Sequence, residues 1–285
     1  MSRLHLPFDV VNVAPGPTHT PEPHHTPMPG VIRRTGAGNR EPQPSQWTQS
    51  MNGETMTIQV AILAAGMGTR LGRPWPKPLT KLDDGRSIMG QQRDNIATVF
   101  GQQARVMTVV GFKLESILEA FPDGLFVYNE NFDTTNTSKS LLKALRFSGE
   151  GPVLWMNGDV VFDPQVLARL ESSILRGDNV ICVNTSAVAD EEVKYTVDAE
   201  GHVNALSKQV QNALGEAVGI NLVSGKDKAR LIECLADCDE QDYFERGIEL
   251  AIERHGIRFT PVDISDLFAV EIDFDDDLAR ANARG

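Results

Sequence analysis

From residue 57 onward the chain alternates short apolar runs with amphipathic stretches. Val60–Ala65 is continuous and apolar, and the first strand is predicted over Ile58–Ala64. A run of that length reads as a strand buried on both faces of a parallel sheet. Further strands are predicted over Arg105–Val110, Leu125–Tyr128, Pro152–Met156 and Val180–Val183. Between them fall helices over Ser87–Phe100, Lys113–Phe121, Ser138–Arg146 and Pro164–Arg176. In the second of these, Leu114, Ile117, Leu118 and Phe121 share one face. Pro164 stands near a first helical turn, where its missing N–H costs nothing. This alternation predicts an α/β fold, a mostly parallel Rossmann-like open sheet with helices on both faces and ligands at the strands' carboxyl ends.

The pattern changes after about residue 190. Tyr195–Asp198 and His202–Ser207 flank a turn at Glu200-Gly201 and predict a hairpin rather than a crossover unit. A strand follows at Ala217–Val223, then helices at Lys226–Cys238 and Asp242–His255, with Phe244, Ile248, Ala251 and Ile252 along one face of the last. Late strands at Ile257–Ile264 and Phe268–Ile272 precede a short helix from Asp275. There is no internal repeat. Residues 57–285 read as one domain with an elaboration in its second half.

The first 56 residues have a different character. They hold nine of the sixteen prolines and four of the six histidines, without apolar periodicity. Such a segment buries too little surface to offset its ordering entropy, so a disordered extension is expected. Met51 and Met56 stand just before the first strand, which makes part of it read as an upstream start-site artefact. It lacks an apolar core of secretory length.

The apolar runs are strand-length, so no membrane span is expected. Three cysteines, Cys182, Cys234 and Cys238, give an odd count without zinc spacing, which fits a reducing cytoplasm. The formal charge of −12 argues against a nucleic-acid polymer as partner. It permits a single nucleotide held by a local basic loop and a divalent metal.

Such a loop exists. Directly after the first strand comes Gly66-Met-Gly68-Thr69-Arg70-Leu-Gly72-Arg73-Pro74-Trp75-Pro76-Lys77-Pro78-Leu79. Glycines at a strand's carboxyl edge let backbone N–H groups approach a phosphate chain. Arg70 and Lys77 add two cations. No Gly-Lys-Ser/Thr follows, so this is no Walker loop, and Leu71 stands where a dinucleotide fingerprint needs its third glycine. Two later strands close on carboxylates: Val153-Leu-Trp-Met-Asn-Gly158-Asp159 and Val270-Glu271-Ile272-Asp273. Hard cations such as Mg²⁺ use one or two such carboxylates together with phosphate oxygens.

Leu63-Ala64-Ala65-Gly66-x-Gly68-Thr69-Arg70 followed by Pro76-Lys77-Pro78-Leu79 closely resembles the signature of nucleotidyltransferases that activate sugar phosphates and phospho-alcohols. The resemblance covers nearly all of residues 57–285 and implies a sheet like that of nucleotide-sugar-dependent (GT-A-like) transferases. It implies that residues 63–66, 68 and 69 bind the nucleotide, that Arg70 and Lys77 are catalytic, and that Asp159 and Asp273 hold Mg²⁺. Asn136, within Thr135-Asn136-Thr137-Ser138-Lys-Ser140-Leu141, resembles a nucleotide-facing asparagine of bacterial choline-phosphate cytidylyltransferases; helix capping is the plain alternative. Lys208 matches a lysine that reaches the acceptor phosphate. Asp163, Asp242, Tyr243 and Glu271 are expected around a quaternary ammonium, through negative charge and cation–π attraction. Pro74-Trp75 is an insertion of bulk that departs from the pattern.

The expected reaction is transfer of CMP from CTP to phosphocholine with release of pyrophosphate. Sugar 1-phosphates, inositol phosphate and phosphonates are the alternative acceptors. The expected partners are thus a nucleoside triphosphate and a small phosphorylated acceptor, with a homo-oligomer left open. From other classes, a non-catalytic nucleotide-binding subunit would not need both metal carboxylates. A glycosyltransferase would usually show Asp-x-Asp, whereas Asp159 and Asp163 are four apart.

Overall fold

The computed structural model describes residues 57–68, 71–186, 188–189 and 191–284. The expected extension over residues 1–56 lies outside them, as do Thr69 and Arg70. Along the chain, β1 (Ile58–Ala64) leads through the glycine loop to α1 (Ile88–Phe100), β2 (Ala104–Val110), α2 (Leu114–Ala120) and β3 (Leu125–Tyr128). Then come α3 (Thr137–Phe147), β4 (Val153–Asn157), β5 (Val160–Phe162), α4 (Gln165–Arg176) and β6 (Asn179–Asn184). The hairpin strands β7 (Lys194–Val197) and β8 (Val203–Ser207) precede β9 (Gly215–Val223), α5 (Lys228–Asp237) and α6 (Phe244–His255). The chain ends with β10 (Phe259–Asp263), β11 (Ala269–Glu271) and α7 (Asp275–Asn282).

The main sheet has the order β10-β6-β9-β4-β1-β2-β3. Every pairing in it is parallel except those of β9, which runs antiparallel to both β4 and β6. The β7–β8 hairpin extends it through β7, which pairs with the start of β9. A separate antiparallel pair, β5 with β11, sits apart from this sheet.

Alternation along β1 explains the two cores. Ala61 and Leu63 face one layer with Leu141 and Leu145 of α3, Leu235 of α5 and Ile248 of α6. Val60 and Ile62 face the other, with Met89 and Ile96 of α1, Ile117 of α2 and Leu170 of α4. A strand covered on both sides has no polar face to spare, hence its uninterrupted apolar run. Helix ends follow local chemistry. The Ser87 hydroxyl accepts from Gly90 N at 3.1 Å to start α1, and Gly177, at φ 71°, closes α4.

The strand–helix order and the hairpin agree with the sequence pattern, with ends differing by no more than two residues. The strand β5 is an addition. Three apolar residues are too few to announce a strand of their own, and their partner β11 lies more than a hundred residues later. That pairing places Glu271 opposite Val160, next to Asp159, and Ile272 N donates to Asp159 O at 3.0 Å.

Candidate active site

A cavity of about 430 Å³ opens at the carboxyl ends of β1 and β4. One end is formed by the glycine loop and three carboxylates. Gly68 has φ 59°, and a Cβ there would lie 2.9 Å from Lys77 Cβ. Glycine therefore lets the Lys77 segment fold back against the loop. At Gly158 a Cβ would stand 2.7 Å from Leu63 O and 3.1 Å from Pro78 Cγ. Its absence lets the β4 turn pack against β1, and Gly158 N donates to Leu63 O at 2.9 Å.

The turn that carries Asp159 is bolted from behind by amides of α1. Gln92 Nε2 donates to Asn157 O (2.9 Å) and Val160 O (2.8 Å), while Gln91 and Asn95 both donate to Phe162 O, at 2.6 and 2.7 Å. These three residues are buried. Sequence reading took α1 as an ordinary covering helix. The available signal was a polar set at positions 91, 92 and 95, on a helix that otherwise buries Ile88, Met89 and Ile96.

Lys77 joins the two motif aspartates. Its Nζ donates to Asp159 Oδ2 at 2.7 Å and Asp273 Oδ1 at 2.5 Å, with side-chain exposures of 9, 20 and 19 % respectively. Burial works against the Lys77 charge, but Asp159 and then Asp273 outweigh it and hold its pKa above the ordinary lysine value. Glu271 completes the cluster: one oxygen each of Asp159, Glu271 and Asp273 lie within 4.8 Å of one another. Repulsion from Asp159, followed by burial, pushes the Glu271 carboxyl well above the usual carboxylate range. Asp159 Oδ1 is buried without a hydrogen-bond partner. Three convergent carboxylates, one with an orphaned buried oxygen, fit a hard divalent cation such as Mg²⁺.

The far end of the cavity comes from the later half of the chain. Lys208, just past β8, lines it with Glu192, Tyr243 and Glu245. The Lys208 ammonium sits over the Tyr243 ring at 5.5 Å from its centroid. Glu192 is raised by burial first and then by Glu216 and Asp273. Glu245, in the first turn of α6, is raised by burial to about 7. Asn136 caps α3 by accepting from Thr137 N at 2.8 Å and also lines the cavity. The start of α3 is stitched to the segment before α6 by hydrogen bonds: Asn136 N to Glu240 O (2.8 Å), Ser138 N to Asp242 O (3.2 Å), Phe244 N to Thr137 Oγ1 (3.0 Å) and Gln241 Nε2 to Thr134 O (2.7 Å).

Of the sequence-predicted residues, Leu63, Ala64, Gly66, Gly68, Lys77, Asn136, Asp159, Lys208, Tyr243, Glu271 and Asp273 all line this cavity. Ala65 lies just behind it, its carbonyl accepting from Phe112 N. Thr69 and Arg70 fall outside the described residues. Asp163 and Asp242 do not line the cavity, and each has a local task instead. Asp163 accepts from Gln165 N at 2.8 Å at the start of α4, and Asp242 from Asp239 N at 2.8 Å in the turn before α6. Tyr243 does reach the cavity, but a lysine already occupies its ring. Glu245 closes Asp242-Tyr243-Phe244-Glu245, a segment that resembles the acidic-aromatic acceptor segment of the cytidylyltransferases, though the resemblance does not itself assign Glu245 to the site; Glu192 went unnoticed, as one more acidic residue near a turn. The three cysteines are free and buried. Burial pushes the Cys182 thiol up to about 12 and Cys238 to about 11, as expected of packing residues. No helix among the described residues is long and apolar enough to cross a membrane.

Comparison with known proteins gives the chain's family and fold relatives. CMP-5'-(3-aminopropyl)phosphonate synthase of Streptomyces rubellomurinus is 29% identical over 250 residues, which make up 81% of this chain and 39% of that protein. The bifunctional protein GlmU of a Cyanothece species is 32% identical over 158 residues, 54% of this chain and 34% of that protein. The chain thus spans well under half the length of these curated relatives. Among solved structures, the inositol-1-phosphate CTP transferase from T. maritima superposes with a TM-score of 0.64 at 16% identity, over 80% of this chain and 97% of that one, and shares the fold. The model of the MobA-like NTP transferase domain matches residues 60–227, more than half of the chain, and the protein belongs to that family.

Proposed function

We propose that the protein transfers a nucleotidyl group, CMP from CTP, to an oxygen of a small phosphonate or phosphate monoester and releases pyrophosphate. The observation that carries this reading is the meeting of Lys77, Asp159 and Asp273 beside the glycine loop, at one end of a cavity whose other end presents Lys208. An acceptor oxygen attacks the α-phosphorus of the nucleotide, and the bond to the bridging oxygen of the β-phosphate breaks. The acceptor oxygen is already anionic at neutral pH, so no side-chain base is needed. Catalysis reduces to positioning and charge neutralisation.

The lysine ammonium has three donors. Two are engaged by Asp159 and Asp273, which leaves Lys77 one for the transferring group. The backbone of residues 66–68 cradles the phosphates, and Lys208 neutralises the attacking acceptor. A divalent cation held by Asp159 and Asp273, with Glu271 beside them, would supply further neutralisation of the phosphate oxygens.

The acceptor expected from the sequence, phosphocholine, gives way to the alternative set of phosphonates, inositol phosphate and sugar 1-phosphates. Lys208 already lies over one face of the Tyr243 ring, so a trimethylammonium drawn to that ring would meet a like charge beside it. The name of the Streptomyces rubellomurinus relative, which denotes formation of a CMP-aminopropylphosphonate, supports this reading. The test is pyrophosphate release by the purified full chain with Mg²⁺. CTP, UTP, GTP, ATP and dTTP are each paired with phosphonates, inositol 1-phosphate, sugar 1-phosphates and phosphocholine. CTP with a phosphonate is expected to give the highest kcat/KM. Turnover with phosphocholine above all others would restore the sequence-based choice. Tight CTP binding without turnover on any acceptor would favour a binding module.

A further inference from the structure

The acceptor end of the cavity is chemically unfinished. Among the described residues, seven carboxylates line the whole cavity against two lysines. Three of the seven form the cluster around Lys77; of the other four, Glu192 and Glu245 both feel the charge of Lys208. Glu245 is the most constrained of these. It is 7 % exposed, sits in the cavity wall, and its Oε2 is fully buried without any hydrogen-bond partner. Its own backbone amide is the one hydrogen bond that favours its anion. A buried carboxyl oxygen without a donor is costly and uncommon in native proteins. Phe244 beside it packs edge-on against Trp155 at 5.8 Å between ring centroids, which fixes the first turn of α6 in the core. The carboxyl is therefore held in place by a rigid element, and a ligand can supply what it lacks.

We propose that Glu245 is the specificity-determining residue for the acceptor, accepting a hydrogen bond from a primary ammonium at the end opposite the phosphonate or phosphate. This rests on the nucleotidyl-transfer reading above and narrows its acceptor to aminoalkyl phosphonates or phosphates. Lys208 takes the acceptor's anionic end and Glu245 its cationic end, so the acceptor brings one charge of each sign to a wall that has both. A quaternary ammonium cannot satisfy Oε2, because it has no N–H to donate. A sugar hydroxyl can donate but leaves the excess of carboxylates around Lys208 unbalanced. Burial raises the Glu245 pKa to about 7 and outweighs the pull of Lys208, so the carboxyl is incompletely compensated in the free protein.

The test compares wild type with Glu245→Gln, which keeps the shape and removes the charge. Pyrophosphate release with CTP is measured for 3-aminopropylphosphonate, its N-trimethyl derivative and propylphosphonate. The expected result is a wild-type preference for the primary amine over both others. In E245Q the ratio of kcat/KM between amine and amine-free acceptor should fall by about 10- to 100-fold, the range of a charge-assisted hydrogen bond. A ratio that survives E245Q overturns the proposal, as does a wild type that prefers the trimethyl compound or a sugar phosphate. A parallel calorimetric titration with the same two phosphonates and a non-hydrolysable CTP analogue separates the two levels of inference. No turnover in wild type, with amine-selective binding that is lost in E245Q, would reject the reaction and keep the Glu245 assignment.

Discussion

The two ends of the cavity differ in how completely they satisfy themselves. At the glycine-loop end, Lys77 bridges Asp159 and Asp273 at 2.7 and 2.5 Å, and an amide of α1 holds the turn that carries Asp159. At the acceptor end, Lys208 rests on an aromatic ring and Glu245 has an oxygen without a donor. The first end is a preorganised electrostatic device that needs its charges fixed before the nucleotide arrives. The second leaves its polar groups to be completed by whichever molecule fits. A phosphate site can be generic. A site that must distinguish one small acceptor from another does so most sharply by leaving a buried polar group that only the right ligand can pair.

The largest effect expected from breaking this contrast is at Lys77. Lys77→Met should lower kcat by about 10²- to 10³-fold, the range for removing one preorganised stabilising group. It should also destabilise the fold by about 3–5 kcal/mol, because the carboxylate cluster loses the buried lysine that bridges Asp159 and Asp273. Steady-state kinetics and urea unfolding measure the two effects. A variant with near-normal turnover would remove Lys77 from the chemistry.

At the acceptor end the corresponding change should stabilise the protein. Glu245 has a folded pKa of about 7, above the unfolded value of 4.5. The folded state then binds more protons than the unfolded state between those values, so stability falls as pH rises through this window. The penalty is absent below about pH 4 and complete above about pH 7. Glu245→Gln removes it, and the variant should exceed wild type at pH 8 by on the order of 3 kcal/mol, with the gain gone at pH 4. Lys208 and Glu249 are the charged groups that also act on Glu245, the first easing and the second adding to the penalty. Denaturation at both pH values decides it. Equal stabilities at pH 8 would mean that the carboxyl is already satisfied.

How much of this was legible in the sequence follows the same division. The glycine loop, Lys77 and Asp159 belong to strand ends that are close in the chain or adjacent in the sheet, and each carries a local pattern of apolar run, glycine and charge. Asp273 was legible because β11 is a strand closing on a carboxylate, although its neighbour β5 was too short to show. The acceptor wall has no such pattern. Lys208, Glu192 and Glu245 come from a hairpin end, a loop and a helix start, brought together by the antiparallel insertion of β9 and the packing of α6. A glutamate in a first helical turn is ordinarily solvated and favoured by the helix dipole, so nothing in its neighbours announces a buried one. Asp163 and Asp242 show the opposite error, since acidic residues beside a motif serve as well for a helix start or a turn.

Gly158 tests how tightly the glycine-loop end is built. In Gly158→Ala the new Cβ would sit 2.7 Å from Leu63 O, a backbone atom that cannot swing aside. The turn carrying Asp159 must then move away from β1, at a cost of about 1–3 kcal/mol. Turnover should fall with it, because Asp159 leaves its place beside Lys77. The thermal midpoint and kcat should fall together; an active variant of unchanged stability would show slack in a corner described here as rigid.

The smallest expected effect asks whether the two ends are independent. Thr137, at the start of α3, accepts from Phe244 N at 3.0 Å and so ties the Asn136 segment to the residue before Glu245. Thr137→Val keeps the shape and leaves that N–H without its acceptor. The first turn of a helix has no intrahelical acceptor to offer it. The cost should be about 1–2 kcal/mol. Three neighbouring hydrogen bonds, to Glu240 O, Asp242 O and Thr134 O, remain to hold the segments together. The loss should therefore stay local. Hydrogen exchange should quicken at the amides of residues 244–246, while those of β1 keep their protection. Faster exchange along β1 as well would mean that the acceptor wall and the glycine-loop corner open as one unit, and that occupancy of either end is felt directly at the other.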